Sequence, residues 1–343
     1  MDYEKEKENL SGTIKLFKKK NKTKSTQKNN KLKIEKSLIL IVLMIVLLIL
    51  FSNKYFYCYK CIPNINNITS ECFTCPNEIL YEKLYIASRE ETLDEIINHN
   101  KSISRYGDGE FNLLFGITHY FQKISDKLVN RLLEILNSQE KNCLIGISYP
   151  FRKEELDLYI EEEVNFWKKF MNKRKIDLLK LIKQDKKFYS SSISKFYLTL
   201  KDKTKSLKYV IKLKKIWDMR DVIIIEGEAV KFGAGNDLLN NAKSIKRIIC
   251  PSSHSFELYN KIMDAVLKFD KNNLILLSLG PAATVISFDL CKLGYQAVDL
   301  GHTDADYEHF IRNASKWILI GGKKISEKDN IIYNKQIINK IMD

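Results

Sequence analysis

The chain has 343 residues, 45% of them hydrophobic, and 57 Lys and Arg against 42 Asp and Glu give it a formal charge of +15. The apolar share excludes a wholly disordered chain, Gly 13 with Pro 5 excludes a collagen-like or low-complexity one, and seven Cys are too dilute for a disulfide scaffold. The positive charge suggests nucleic acid only until its location is read: residues 1–36 hold 12 Lys and 5 acids, and only 8 of the 57 cations are Arg, the side chain a phosphate-reading surface would favour. No nucleic-acid partner is expected.

Directly after this tail, Ser37 to Asn53 is uncharged, and Leu38 to Phe51 is unbroken apolar. That length is the lower edge of a bilayer span. Lys31, Lys33 and Lys36 precede it, and Tyr55, Phe56, Tyr57 and Tyr59 follow it like an interfacial aromatic belt. No A-x-A-like cleavage site follows, so a signal-anchor is expected rather than a cleaved signal. The positive-inside rule keeps the Lys tail cytoplasmic and sends the rest to a lumen or the exterior, Golgi-like in a eukaryote. The organisation expected is a cytoplasmic tail (1–36), a transmembrane helix (37–53), a stem (54–84), a main folded domain (85–325) and a C-terminal extension (326–343), a type II membrane protein held by one helix. In the stem, Cys58, Cys61, Cys72 and Cys75 form C-x2-C-x10-C-x2-C; disulfides are expected in an oxidising compartment, with a zinc knuckle as the alternative. Asn67, Asn100 and Asn313 begin glycosylation sequons. Cys143, Cys250 and Cys291 lie in apolar runs and read as small core residues.

Beyond the stem, Thr92-Leu93-Asp94-Glu95 is a capping box opening a short helix. Ile103 to Tyr106 reads as a strand, Gly107 to Glu110 as a tight turn, and Phe111 to Phe115 as a helix. Cys143 to Ser148 is a buried strand, Arg152 to Asp185 a long helical pattern, and Leu207 to Trp217 another helix. Then strands at Asp221 to Glu226, Ile245 to Cys250, Leu274 to Leu279 and Gln296 to Leu300 alternate with helices beginning at Asn236, Ser255 and Ala283. Apolar strands alternating with helices mean βαβ units and a parallel, Rossmann-like sheet with helices on both faces.

Ligands of such sheets sit outside the carboxyl ends of the strands, and three strand ends carry chemistry. After the first, Asp108 and Glu110, separated by one Gly and preceded by Arg105, have oxygen donors suited to a hard divalent cation. In the second, Lys231 precedes Gly233-Ala234-Gly235-Asn236-Asp237, where glycines at a helix start can bring backbone N–H groups to a phosphate. In the third, Gly280-Pro281 and Thr284 open a helix, with Asp299 at the end of the next strand. This imitates a dinucleotide fingerprint with two of its three glycines missing, so a nucleoside site is expected rather than a full pyrophosphate loop. His302, Asp304 and Asp306 follow and supply candidate bases or acceptor ligands.

SRYGDGEF at Ser104 to Phe111, EGEAVKFGAGNDLL at Glu226 to Leu239, and GPAATVISFDLCKLGYQAVDLGHTDADYEHF at Gly280 to Phe310 resemble the GT-D-type glycosyltransferase family, over approximately residues 85–325. The resemblance implies a transferase of hexosyltransferase class, moving a sugar from a nucleotide-sugar, UDP-linked by expectation, to a glycan or glycoconjugate hydroxyl. It implies that Asp108 and Glu110 hold Mn2+ or Mg2+ against the diphosphate. Lys231 stands where an Arg is expected, and Ser194-Lys195-Phe196-Tyr197 where the family has a Ser-Arg-Pro-Tyr-like string, so the charge is kept and the bidentate fork lost. The mechanism expected is positioning plus electrostatics, with the cation and Lys231 offsetting charge on the leaving diphosphate and His302, Asp304 or Asp306 taking the acceptor proton. The alternatives are an NAD(P)-dependent oxidoreductase using Gly280 to Asp299, and a non-catalytic nucleotide- or glycan-binding module.

Overall fold

In a computed structural model, the structure describes residues 84–118, 121–148, 153–183 and 186–323. The expected tail, membrane helix, cysteine stem and C-terminal extension lie outside them. Among the described residues no helix is long and apolar enough to cross a membrane.

The first helix, α1 (Arg89–Asn98), starts three residues before its expected capping box, because the Ser88 hydroxyl accepts from the Glu91 N–H at 3.1 Å. It leads into β1 (Ser102–Tyr106), then α2 (Asp108–Leu114) and α3 (Asp126–Leu136), followed by β2 (Cys143–Ile147). The helical pattern from Arg152 is two helices, α4 (Lys153–Leu156) and α5 (Glu161–Leu181). They are separated where Tyr159 bridges to Leu200. A two-residue β3 (Tyr189–Ser190), too short to show a pattern, runs into a 3-10 turn at Ser191–Ser194, and α6 (Ser206–Lys214) follows. The rest alternates as expected: β4 (Asp221–Gly227), β5 (Ser244–Cys250), α7 (Tyr259–Val266), β6 (Leu274–Ser278), α8 (Pro281–Lys292), β7 (Gln296–Asp299) and α9 (Thr303–Ile311). The helix expected at Asn236 is absent; residues 233–241 form successive turns held by side chains from α9.

Among the described residues the strands form one parallel sheet ordered β3-β2-β1-β7-β6-β4-β5. The central strands are apolar on both faces, as helices on both faces require. In β4, Ile223 and Ile225 pack with α3, α7 and α8, while Val222 and Ile224 point the other way toward α1, α6 and Tyr307 of α9. Each such buried Ile contributes about 1.5–3 kcal/mol. One expectation is corrected here. Cys143 of β2 and Cys291 of α8 are not separate core thiols but a disulfide, across 148 residues of sequence, whereas Cys250 is buried and free.

Candidate functional site

All seven strands deliver their carboxyl ends to one open cleft of about 240 Å³. Gly107 to Glu110 come from the end of β1, Ser148 from β2, Ser191 to Lys195 from β3 and Gly227 with Val230 from β4. Ser252 and Ser255 follow β5, Ser278 to Pro281 end β6, and Asp299, Gly301 and His302 end β7. The centre is the crevice between β1 and β7, where the chain direction splits. After β1 it turns to α2 and α3 on one face of the sheet, and after β7 to α9 on the other. Such a switch point opens a groove in which backbone and strand-end side chains face a ligand.

Arg105 and Asp299 bridge this crevice. The Arg105 Nη2–H donates to Asp299 Oδ1 at 3.0 Å, and its Nη1–H donates to Ser191 O at 2.9 Å and Ser194 Oγ at 2.7 Å. Both side chains are nearly buried, at 12% and 7% exposure. Burial holds the Asp299 carboxyl above its ordinary range against the pull of the guanidinium. Gly301 makes the arrangement possible: a Cβ there would stand 2.1 Å from Arg105 Nη2, and its φ of +45° is one side chains rarely adopt. The third strand-end residue, Thr284, is behind the cleft with its hydroxyl donating to Arg105 O at 2.9 Å. It supports β1 instead of facing a ligand.

Asp108 is the first residue of α2, and Glu110 completes the turn, with its Oε2 accepting the Gly107 N–H at 2.8 Å. Its dense surroundings push the Glu110 carboxyl up to about 7; the Gly107 bond opposes this, and the charges of Asp299 and Asp108 add to it. The oxygens of Asp108 and Glu110 thus share one wall with nearby negative charge, the condition a divalent cation relieves. Among the described residues no three His, Cys, Asp or Glu form a self-contained cation cage. The donor set fits a magnesium- or manganese-type ion that keeps water and substrate phosphate oxygens for the rest of its shell.

The Lys231 loop differs. Its glycines do not line the cleft: Gly233 is bonded to α9 and Gly235 is exposed. Gly233 N–H donates to Asp304 Oδ1 at 2.9 Å, and Asn236 Nδ2 donates to Asp304 at 2.8 Å and Glu308 at 2.7 Å. Asp237 accepts from Tyr307 Oη at 2.6 Å, Gly235 sits in the same turn, and Lys231 is exposed outside the cleft. Gly233 is required by packing: its φ is +66°, and a Cβ would meet Leu239 at 2.6 Å.

The three candidate bases also separate. His302 caps α9 and lines the cleft. Asp304, 1% exposed, is closed off by the loop above and by Lys323 Nζ at 2.6 Å, which also reaches Glu308 at 3.1 Å. Asp306 accepts the backbone N–H groups of Phe196, Tyr197 and Leu198 at 2.6, 2.8 and 2.9 Å. Burial raises both carboxyls, and these bonds pull them back toward ionisation. Asp304 and Asp306 therefore fix loops behind the cleft, and neither lines it.

Sequence reasoning passed over Ser148, Ser191, Ser192, Ser252 and Ser255, which line the cleft with hydroxyls, as well as Phe121 and Trp167. The serine-rich strings after β3 and β5 were the available signal. Lys195, rather than Lys231, is the lysine in the cleft, paired with Glu163 and 6.0 Å from the Trp167 ring.

Known proteins share this architecture. The sequence model of the glycosyltransferase GT-D fold matches residues 103–328. Glycosyltransferase GlyD of Streptococcus pneumoniae serotype 4 (strain ATCC BAA-334 / TIGR4) is 33% identical over 285 residues, 80% of this chain and 34% of that protein. The probable glycosyl transferase Gly of Streptococcus gordonii is 35% identical over 267 residues, 75% of this chain and 39% of that protein. The chain thus spans little more than a third of the length of these curated relatives. A solved structure of domain of unknown function 1792, described as having a distinct glycosyltransferase fold, superposes with a TM-score of 0.70 at 33% identity, over 74% of this chain and 90% of that one. A glycosyltransferase (DUF1792) from Streptococcus sanguinis gives 0.68 at 33% identity, over 72% and 91%. The match takes in about nine tenths of each of those solved chains, so in those proteins the corresponding domain folds with little else attached. The family model spans about two thirds of the chain's length, and the chain belongs to the GT-D-fold glycosyltransferases.

Proposed function

We propose that the chain moves a sugar from a nucleotide-sugar, UDP-linked in the first instance, to a hydroxyl of a glycan or glycoconjugate, with a divalent cation held by Asp108 and Glu110. The observation that carries this reading is the convergence of Asp108, Glu110, Arg105 and Lys195 on the β1–β7 crevice, beside the N-terminus of α8 at Gly280 and Pro281. Glycosidic transfer from a nucleoside diphosphate builds charge on the leaving phosphates, and the cation would supply Lewis-acid stabilisation of that charge.

The chain's own groups do the rest. Lys195 and the positive end of the α8 dipole face the same region and favour the departing anion. Arg105, locked between Asp299 and the Ser191–Ser194 turn, holds the two strand ends at fixed separation. The serine hydroxyls supply donors and acceptors suited to sugar hydroxyls. An imidazole nitrogen of His302, at the rim, takes the acceptor proton. Asp304 and Asp306 have no part in the chemistry.

A domain standing beyond a membrane helix also suits the Cys143–Cys291 disulfide, since such bonds persist in oxidising compartments. The direct test is to incubate the 77–343 fragment with a panel of UDP-sugars and Mn2+ and follow donor hydrolysis and transfer by mass spectrometry. Turnover is expected with at least one donor, reduced at least ~100-fold by Asp108→Ala. No turnover with any donor, or an Asp108→Ala protein equal to wild type, would contradict the proposal.

A further inference from the structure

The helix α5 has an outward face that the cleft does not explain. Trp167 and Leu178 turn inward, Trp167 reaching the cleft. On the opposite side, Phe166, Lys169, Lys173, Ile176 and Lys180 recur at the i, i+3, i+7, i+10 and i+14 spacing that aligns residues along one face. All five are exposed, Phe166 at 45% and Ile176 at 55%. The helix carries six cations and four carboxylates; three of the acids, Glu161 to Glu163, are in its first turn, so from Lys168 to Lys180 six cations face only Asp177. A solvated basic helix accounts for the lysines, but not for Ile176 and the outer part of Phe166, whose ring packs edge-to-face on Trp167, being left exposed among them.

We infer that this face of α5 docks on an anionic lipid surface. Lysines spaced along one face meet a plane of headgroup charge, each adding to the attraction within a Debye length. Phe166 and Ile176 lie on the same face and can enter the headgroup–acyl boundary while the lysine stems extend around them. A soluble polyanion would match the lysines and give the two apolar side chains no partner, which is why lipid is the occupant favoured here. The inference is independent of the sugar-transfer reading; it needs only the helix and its exposure.

The 77–343 fragment, which lacks residues 37–53, is to be sedimented with vesicles of phosphatidylcholine alone or containing about 30% phosphatidylglycerol. The wild type is expected to pellet with the anionic vesicles and stay in solution with the neutral ones. Lys169→Glu with Lys173→Glu should weaken anionic binding at least ~10-fold, and Phe166→Ser with Ile176→Ser at least ~3-fold. The lysine variant should keep the wild-type melting temperature, since both lysines are exposed; Phe166 also packs edge-to-face on Trp167, so the serine pair is compared with wild type at equal folded fraction. Absence of anionic binding, or lysine reversal without effect, overturns the proposal. Vesicle binding indifferent to Phe166 and Ile176 and matched by heparin overturns it in favour of a soluble acidic polymer.

Discussion

Two acid-rich strand-end segments in this chain look alike in sequence and behave differently in the fold. Asp108 and Glu110, after β1, line the open cleft. Asp304 and Asp306, after β7, are closed in by Gly233, Asn236, Lys323 and three consecutive backbone N–H groups. The difference lies in what packs against each. The turn after β1 borders the switch-point groove, where little but ligand can cover it, whereas the first turns of α9 are roofed by the 231–237 loop and the Ser194–Leu198 segment. Acidic residues at a strand end therefore mark a site only when no other loop supplies donors to them.

The sharpest way to break this contrast is Asp306→Ala, which strips a buried carboxylate from three N–H donors. A loss of about 3 kcal/mol or more is expected, lowering Tm by about 10 °C while activity per folded molecule is retained. Thermal melts combined with turnover normalised to folded protein check it; lost catalysis at unchanged Tm would move Asp306 into the site. Next comes the bond beneath the open region. Replacing Cys143 and Cys291 together by Ser should cost about 2–4 kcal/mol, and reductant should lower the wild-type Tm but not that of the double variant. Smaller again is the lysine pair: Lys195→Ala is expected to reduce donor turnover about 10-fold, while Lys231→Ala changes it less than about 2-fold. Steady-state kinetics on both would reverse the assignment if the magnitudes were exchanged.

Much of the fold was legible because its signals are local. The runs DVIIIE and LILLSL are apolar on both faces and mark central parallel strands before any partner is known. The first site motif was legible for a similar reason, since Asp108, Glu110 and their capping turn are adjacent in sequence. What escaped depends on distant partners. Lys195 is in the cleft and Lys231 outside it, their segments being held by different carboxylates of α9, Asp306 and Asp304, which spacing within either segment does not encode. Gly233 looked like a phosphate-binding glycine, but its constraint is Leu239. The disulfide joins residues 148 apart, and neither cysteine has a neighbour in sequence that betrays it.

The central claim is that nucleotide and cation meet at Asp108 and Glu110, and the most direct measurement is the melting temperature of the 77–343 fragment with UDP and Mn2+, separately and together. UDP with Mn2+ should raise the Tm of the wild type and of Lys231→Ala well beyond either ligand alone, and Asp108→Ala should abolish that synergy. A synergy that survives in Asp108→Ala, or disappears in Lys231→Ala, would contradict the account.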